Sequence, residues 1–287
     1  TGILNGIGPE WDPGHDEHLP VDARYSASSV ERKAVSRARL QVELGLAADP
    51  GPLLLGTVSR LTPQKGLDLL LDALPTLLDT APAPPTAPGV QVAVLGRGDA
   101  DLERRLTDAA RSRPGRMAVR VDVDERLAHL LQAGADAVLV PSRFEPCGLT
   151  QLCGLRYGTL PVVAGVGGLA DTVVDATPAA RADGTATGFV FAPGSVPGLL
   201  DAVRRAVALR ARGSDWRRVQ HRAMTRDVGW GPSARAYALL YADVVSGARR
   251  PVGCGSDGAD RGDGTEPAPC PERYRQAPSA SSGRDRW

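Results

Sequence analysis

Lysine is almost missing from this chain. Of 34 basic residues only Lys33 and Lys65 are lysines, and the rest are arginines. Asparagine occurs once, at Asn5, and isoleucine only at Ile3 and Ile7. With Ala, Gly, Pro and Arg abundant, this pattern reads as GC-rich coding bias, which makes any remaining lysine worth inspecting. Net charge is scarce too. A formal value of +1 gives no reason to expect nucleic acid or an anionic membrane as partner. No apolar run approaches the ~20 residues that span a bilayer. No N-terminal stretch has the basic and apolar regions of a signal peptide. The four cysteines, Cys147, Cys153, Cys254 and Cys270, form no Cys-x-x-Cys and no zinc-finger spacing. A reducing, cytoplasmic location is therefore expected.

What remains is ordinary globular material: 287 residues, 42% hydrophobic and 23% charged. Residues 1–52 read as a lead-in, with a helix over 28–44 capped by Ser28 or Ser29 and ended near Gly45. From residue 53 strands and helices alternate. Strands are predicted at 52–59, 90–96, 117–121, 136–142, 160–165 and 187–191. Helices are predicted at 66–78, 99–112, 125–133, 148–157, 168–176, 196–211, 214–226 and 232–246, with a Pro/Ala loop at 80–89. Strands that are apolar throughout, separated by amphipathic helices, predict an α/β fold: a Rossmann-like parallel sheet flanked by helices. Ligands then bind beyond the carboxyl ends of the strands. The 53–248 segment is the expected ligand-binding domain. From 249 to 287 the sequence holds no Leu, Ile, Phe or Met, and reads as a disordered tail.

Four strand ends carry candidate chemistry. After the first, Arg60 and Lys65 flank one loop entering a helix, a pattern that suits a diphosphate: one forked donor and one point charge. The same residues also fit a solvated loop with ordinary charges. After the second, Gly96-Arg97-Gly98-Asp99 permits close backbone approach to a ligand, or a tight turn capped by Asp99. It is not a Gly-x-Gly-x-x-Gly fingerprint, so nicotinamide dinucleotide is not implied. After the fourth strand, Ser142 to Gln151 runs through Glu145, Pro146, Cys147 and Gly148 into a helix. The N–H groups of Gly148, Leu149 and Thr150 would face an anion there. Glu145 would stand beside them, or pair with Arg143 as a surface acid. Cys147 reads as a small residue lining the pocket, or as a thiol near a helix start. After the fifth strand, Gly165, Gly167 and Gly168 allow ligand approach, or make a flexible connection. His129 reads as a core histidine. Trp216, Trp230, Tyr237 and Tyr241 read as packing residues.

Taken together, these segments resemble the bacterial glycogen synthase/starch synthase family of retaining glucosyltransferases. The matching stretches are GILNG (2–6), VSRLTPQKGLDLLLDALP (58–75), VLGRGD (94–99), AGADAVLVPSRFEPCGLTQL (133–152), LRYGTLPVVA (155–164), GGLADTVVDA (167–176), DGTATGFVF (183–191), and Trp216 with AMTRD (223–227). The resemblance covers about residues 1–245. It implies the C-terminal half of a GT-B enzyme, in which two Rossmann-like domains face a cleft. It also implies transfer of glucose from ADP-glucose to the non-reducing end of an α-1,4-glucan with retention, and no metal or cofactor. By the same resemblance Arg60 and Lys65 bind the diphosphate, and Gly148, Leu149 and Thr150 donate to it. Glu145 stands near the glucosyl ring. Gly96, Gly98, Cys147, Gly167 and Gly168 line the donor pocket.

The chain departs from that family in three places. Cys153 stands eight residues after Glu145, where many retaining relatives carry a second glutamate. Val123 replaces the aromatic residue that stacks on the nucleotide base, which opens the choice between ADP-glucose and UDP-glucose. The family's Asn-Gly-Ile-Asp becomes Asn5-Gly6-Ile7-Gly8. No Lys-x-Gly-Gly-Leu loop of the N-terminal domain occurs. Two functions stay open on these residues: the donor half of a glucosyltransferase, and a non-catalytic remnant binding nucleotide or glucan.

Overall fold

The computed structural model describes residues 2–79 and 89–246. Most of the predicted Pro/Ala loop and the predicted tail lie outside the described residues. Six strands form one parallel sheet: β1 (Leu53–Val58), β2 (Val90–Gly96), β3 (Met117–Val121), β4 (Ala137–Val140), β5 (Leu160–Ala164) and β6 (Phe189–Phe191). Their spatial order is β3-β2-β1-β4-β5-β6. The register pairs Leu53 with Val90 and Leu55 with Ala137, placing β1 at the centre. This is the doubly wound arrangement, and the strand order reverses between β1 and β4.

The central strands β1, β2, β4 and β5 are buried on both faces, as a parallel sheet covered by helices requires, whereas the edge strand β3 ends exposed at Arg120 and Val121. Along β1, Leu53 and Leu55 point to one side and Leu54 to the other, as strand periodicity requires. The first side packs on α2 (Leu67–Leu74), α3 (Ala100–Arg111) and α8 (Val196–Arg210) through Leu70, Leu106 and Val203. The second packs on α1 (Lys33–Leu44), α4 (Glu125–Gly134) and α5 (Thr150–Tyr157) through Leu40, Leu131 and Tyr157. At Gly56 a Cβ would overlap the Leu131 side chain, so glycine lets α4 lie close to the sheet. The lead-in belongs to this same unit: Leu19, Tyr25 and Leu40 are buried. That unit spans Thr1–Ala242, and a second, Asp243–Trp287, is described only to Ser246.

Several predicted boundaries move. Residues 27–32 form 3-10 turns rather than the start of α1, and Ser26, not Ser28 or Ser29, occupies their cap. α1 does end at Gly45, whose φ of 67° is left-handed. α2 stops at Leu74 because Pro75 has no N–H to continue the ladder, and a wider π-type turn follows over 75–79. The predicted helix 168–176 ends early, as α6 (Gly167–Thr172), and a short helix not expected from the sequence, α7 (Pro178–Ala182), follows it. Between them Val173 is extended, and Gly188 donates to the Val174 carbonyl, so β-branched residues run beside β6 instead of coiling. The last helices are α9 (Ser214–Met224) and α10 (Trp230–Val245). Trp216 is buried as expected, but Trp230, Tyr237 and Tyr241 are exposed, which corrects their assignment as packing residues. Nothing in the spacing of these aromatics separates a core face from a bare one.

Lys33 ties the lead-in to the sheet. Its Nζ donates to the carbonyls of Gln132, Ala133 and Tyr157 and to the hydroxyls of Tyr25 and Thr159, at 2.5 to 3.3 Å. Burial pushes this ammonium down to about 7, against the attraction of Asp136. The carbonyls at the ends of α4 and α5 thereby gain a shared donor that no apolar side chain supplies. Lys33→Met should lower stability by about 2–3 kcal/mol through poorly satisfied buried carbonyls. Urea unfolding checks this: the midpoint should fall with little change in slope, and an unchanged midpoint contradicts it.

Candidate active site

The site forms at the reversal of strand order. β1 and β4 are neighbours, and their outgoing loops, 59–66 and 141–149, meet over the carboxyl edge of the sheet. Loop 59–66 lies on the loop after β2. Leu61 N–H donates to the Arg97 carbonyl at 2.9 Å, and Asp99 N–H to the Leu61 carbonyl at 2.7 Å. A Cβ on Gly96 would overlap the Ser59 carbonyl, and one on Gly98 the Leu61 carbonyl. Both glycines are thus required by backbone packing beneath Arg60. Asp99 caps α3, accepting from the N–H groups of Asp101 and Leu102.

The two loops are joined at several points. Arg143 N–H donates to the Gln64 carbonyl at 2.9 Å, and the Gln64 amide donates to the Phe144 carbonyl at 3.0 Å. Gly66, at φ 70°, has the Pro141 carbonyl where a Cβ would stand. The Arg143 guanidinium grips both carboxylate oxygens of Asp68, at 2.7 and 2.5 Å, and holds that acid below the usual carboxylate range. This corrects the alternative in which Arg143 pairs with Glu145.

Glu145 instead meets Lys65. Nζ and Oε2 are 2.6 Å apart, with side-chain exposures of 19% and 9%. The buried Ser142 hydroxyl donates to the same oxygen at 3.0 Å. Sequence reasoning missed Ser142; its signal is its place at a buried strand end, three residues before the acid. Arg60 is exposed, and its guanidinium has no hydrogen-bond or ion-pair partner among the described residues. Two cations thus stand on one loop, one of them paired and one open.

Below Glu145 lies the start of α6. Gly168 N–H donates to the Glu145 carbonyl at 3.0 Å, and a Cβ on Gly167 would overlap that carbonyl. A Cβ on Gly168 would overlap the Cys147 backbone. These two glycines bed the Glu145 loop, just as Gly96 and Gly98 bed the Arg60 loop. Cys147 is half-buried, and its Sγ accepts the Asn5 N–H at 3.3 Å. Gly148 takes φ 74°, and the Gln151 amide donates to the carbonyls of Cys147 and Gly148, both at 2.9 Å. The N–H groups of Gly148, Leu149 and Thr150 are left without an acceptor among the described residues, at the positive end of α5. The Thr150 hydroxyl ties that end to the Val58 carbonyl of β1 at 3.2 Å. Cys153 is inside the core, where burial pushes its thiol up, so it offers no acid in place of a second glutamate. Val123 is exposed.

The arrangement offers fixed positive charge and open N–H donors next to one carboxylate, which suits an anionic leaving group attached to a hydroxyl-bearing ring. Known proteins resemble this chain as follows. The family described as "Glycosyl transferases group 1" matches residues 45–221. A glycogen synthase of Acidiphilium cryptum is 50% identical over 246 residues, covering 85% of this chain and 49% of the relative. One from Rhodopseudomonas palustris is 51% identical over 247 residues, covering 86% and 49%. The chain therefore spans about half the length of the curated relatives it matches. Among solved structures, the catalytic domain of Starch Synthase IV from Arabidopsis thaliana, bound to ADP and acarbose, superposes with a TM-score of 0.77 at 32% identity, covering 86% of this chain and 49% of that one. No described helix is long and apolar enough to cross a membrane. The chain belongs to the group 1 glycosyl transferases.

Proposed function

We propose that this chain is the donor-binding half of a glycogen synthase, which transfers glucose from ADP-glucose to the non-reducing end of an α-1,4-glucan with retention. The observation that carries the reading is the Lys65–Glu145 contact between the loops of β1 and β4, with Arg60 open on the first loop and three open N–H groups where the second enters α5. Supporting it are the glycogen synthases at about 50% identity and the plant starch synthase domain, whose ligands are ADP and acarbose.

On this reading Arg60, Lys65 and the N–H groups of Gly148, Leu149 and Thr150 receive the diphosphate. Negative charge grows there as the glucosyl bond breaks, so fixed donors act most strongly in the transition state. The diphosphate competes with Glu145 for Lys65. The carboxylate so released faces the glucosyl ring, orients its hydroxyls and stabilises oxocarbenium character. Gly96, Gly98, Gly167 and Gly168 act by bringing backbone close, and Cys147 lines the pocket. The reacting centre draws its positive charge from side chains and helix ends and takes no metal or cofactor. Residues 1–52 serve as the interdomain lead-in and 53–248 as the nucleotide-sugar domain. The partner is an N-terminal GT-B domain supplying the acceptor side, and the setting is cytoplasmic.

Calorimetric titration of the folded chain tests donor binding. ADP and ADP-glucose should release heat, and absence of heat with ADP and UDP alike would favour the non-catalytic remnant. Lys65→Ala and Arg60→Ala should each weaken ADP about 10- to 100-fold, the worth of a charge-assisted hydrogen bond. Unchanged affinity would remove the diphosphate role.

Acceptor chemistry has a separate test. The chain alone should incorporate no glucose from ADP-glucose into glycogen, and robust incorporation would overturn the half-enzyme reading. Because Val123 offers no ring for stacking, ADP and UDP should differ by less than about tenfold, since a lost stack is worth about 1 kcal/mol.

A further inference from the structure

A second constellation lies away from Arg60, Lys65 and Glu145. His129, on α4, has a fully buried side chain. Its Nδ1 is 2.9 Å from Asp16 Oδ2, and the Tyr157 hydroxyl donates to that same oxygen at 2.6 Å. The other Asp16 oxygen accepts the His18 N–H at 2.8 Å. With Nδ1 engaged by Asp16, Nε2 is the remaining ring nitrogen. That Nε2 is buried and has no hydrogen-bond partner. An unpartnered buried nitrogen is costly, which marks it as kept for a ligand.

Two further ligand groups stand near the His129 side chain. One donor atom from each of His18, Glu125 and His129 lies within 4.8 Å of the other two. The His18 and Glu125 side chains are exposed, and neither has a hydrogen-bond or ion-pair partner among the described residues. The Trp11 ring stacks on His129 at 3.8 Å and 9°, fixing the plane of the imidazole, and the His18 ring lies 4.3 Å away.

We propose that His18, Glu125 and His129 form a binding site for a zinc-class divalent cation. Two imidazoles and one carboxylate are a borderline donor set suited to Zn²⁺, leaving one position for water. Asp16 behind His129 supplies the carboxylate–histidine–metal arrangement that orients a ligating ring and raises its basicity. Bonds of about 2.0–2.2 Å require the three donors to draw closer than they now lie. The exposed His18 and Glu125 side chains can swing in, while the buried His129 stays as the fixed point. The bound ion would staple the segment carrying Trp11 and His18 onto α4. The proposal stands independently of the glucosyltransferase reading, because none of the diphosphate residues takes part.

The test uses the full chain stripped of metal. Zn²⁺ calorimetry should give one equivalent, and Zn²⁺ should raise the unfolding temperature, because a ligand of the folded state shifts unfolding by mass action. Substituted Co²⁺ should show nitrogen- and oxygen-ligated spectra without thiolate charge-transfer bands. His18→Ala and Glu125→Gln, both at exposed positions, should each weaken Zn²⁺ about tenfold or more and reduce the thermal shift. Absence of binding overturns the proposal. So does affinity unchanged in both variants, or a thiolate spectrum, either of which places the ion on cysteine or elsewhere.

Discussion

The contact between Lys65 and Glu145 sets what the rest of the carboxyl edge must do. A lysine from the β1 loop and a glutamate from the β4 loop meet at 2.6 Å only if both loops lie against each other. Two long side chains alone would not hold that geometry, since an ion pair near the surface contributes little and loses rotamer entropy. Backbone contact supplies the constraint. The Arg143 amide, the Gln64 side chain and the Arg143–Asp68 fork join the loops before either charged residue is placed. Both ends of the pair are thus carried by chain segments that are already fixed, and the pair itself is left free to exchange partners.

The glycines follow from the same constraint. Gly96 and Gly98 lie under the Arg60 loop, and Gly167 and Gly168 lie under the Glu145 loop. In each case the atom that excludes a side chain is backbone, not open space. Close approach of a ligand and close approach of another loop demand the same residue, so a glycine after a strand does not say which is meant. Here the loop–loop contact accounts for all four. Any effect of these glycines on a ligand therefore passes through the position of Arg60, Lys65 and Glu145.

Much of this was legible in the sequence, and the parts that were not share one cause. Continuous apolar runs such as Leu53–Val58 declared a sheet covered on both faces, and the strand ends pointed to the right edge of it. The scarcity of lysine singled out Lys33 and Lys65, and both occupy places where an ammonium has specific oxygen partners. What Lys33 does was hidden, because its partners come from residues 25, 132, 133, 157 and 159, which no local pattern brings together. Arg143 has a neighbouring acid two residues on, yet it reaches back to Asp68, because α2 and the β4 loop are adjacent only in the fold. The helix expected over 168–176 stops at Thr172: its leucine and alanine suit a helix, but the pairing that pulls Val173 and Val174 straight comes from Thr187 and Gly188.

Exposure decides how strongly this edge acts by itself. Arg60 is open to solvent, and Phe144 and Leu149 on the β4 loop and Val123 after β3 are exposed as well. Two unit charges about 4 Å apart interact by about 1 kcal/mol in water and about 4 kcal/mol at an effective dielectric of 20. The same arginine facing the same phosphate is therefore several-fold weaker on an open face than in a closed cleft. The apolar side chains at the rim change that only when something covers them. A second domain closing on this edge would remove water from Arg60 and bury Phe144 and Leu149 in the same movement, so that affinity for the diphosphate and apolar contact between domains would rise together. On the proposed reading, the weak electrostatics of the open half and its bare apolar rim are one property: each is what a cleft-forming surface has before its other wall arrives.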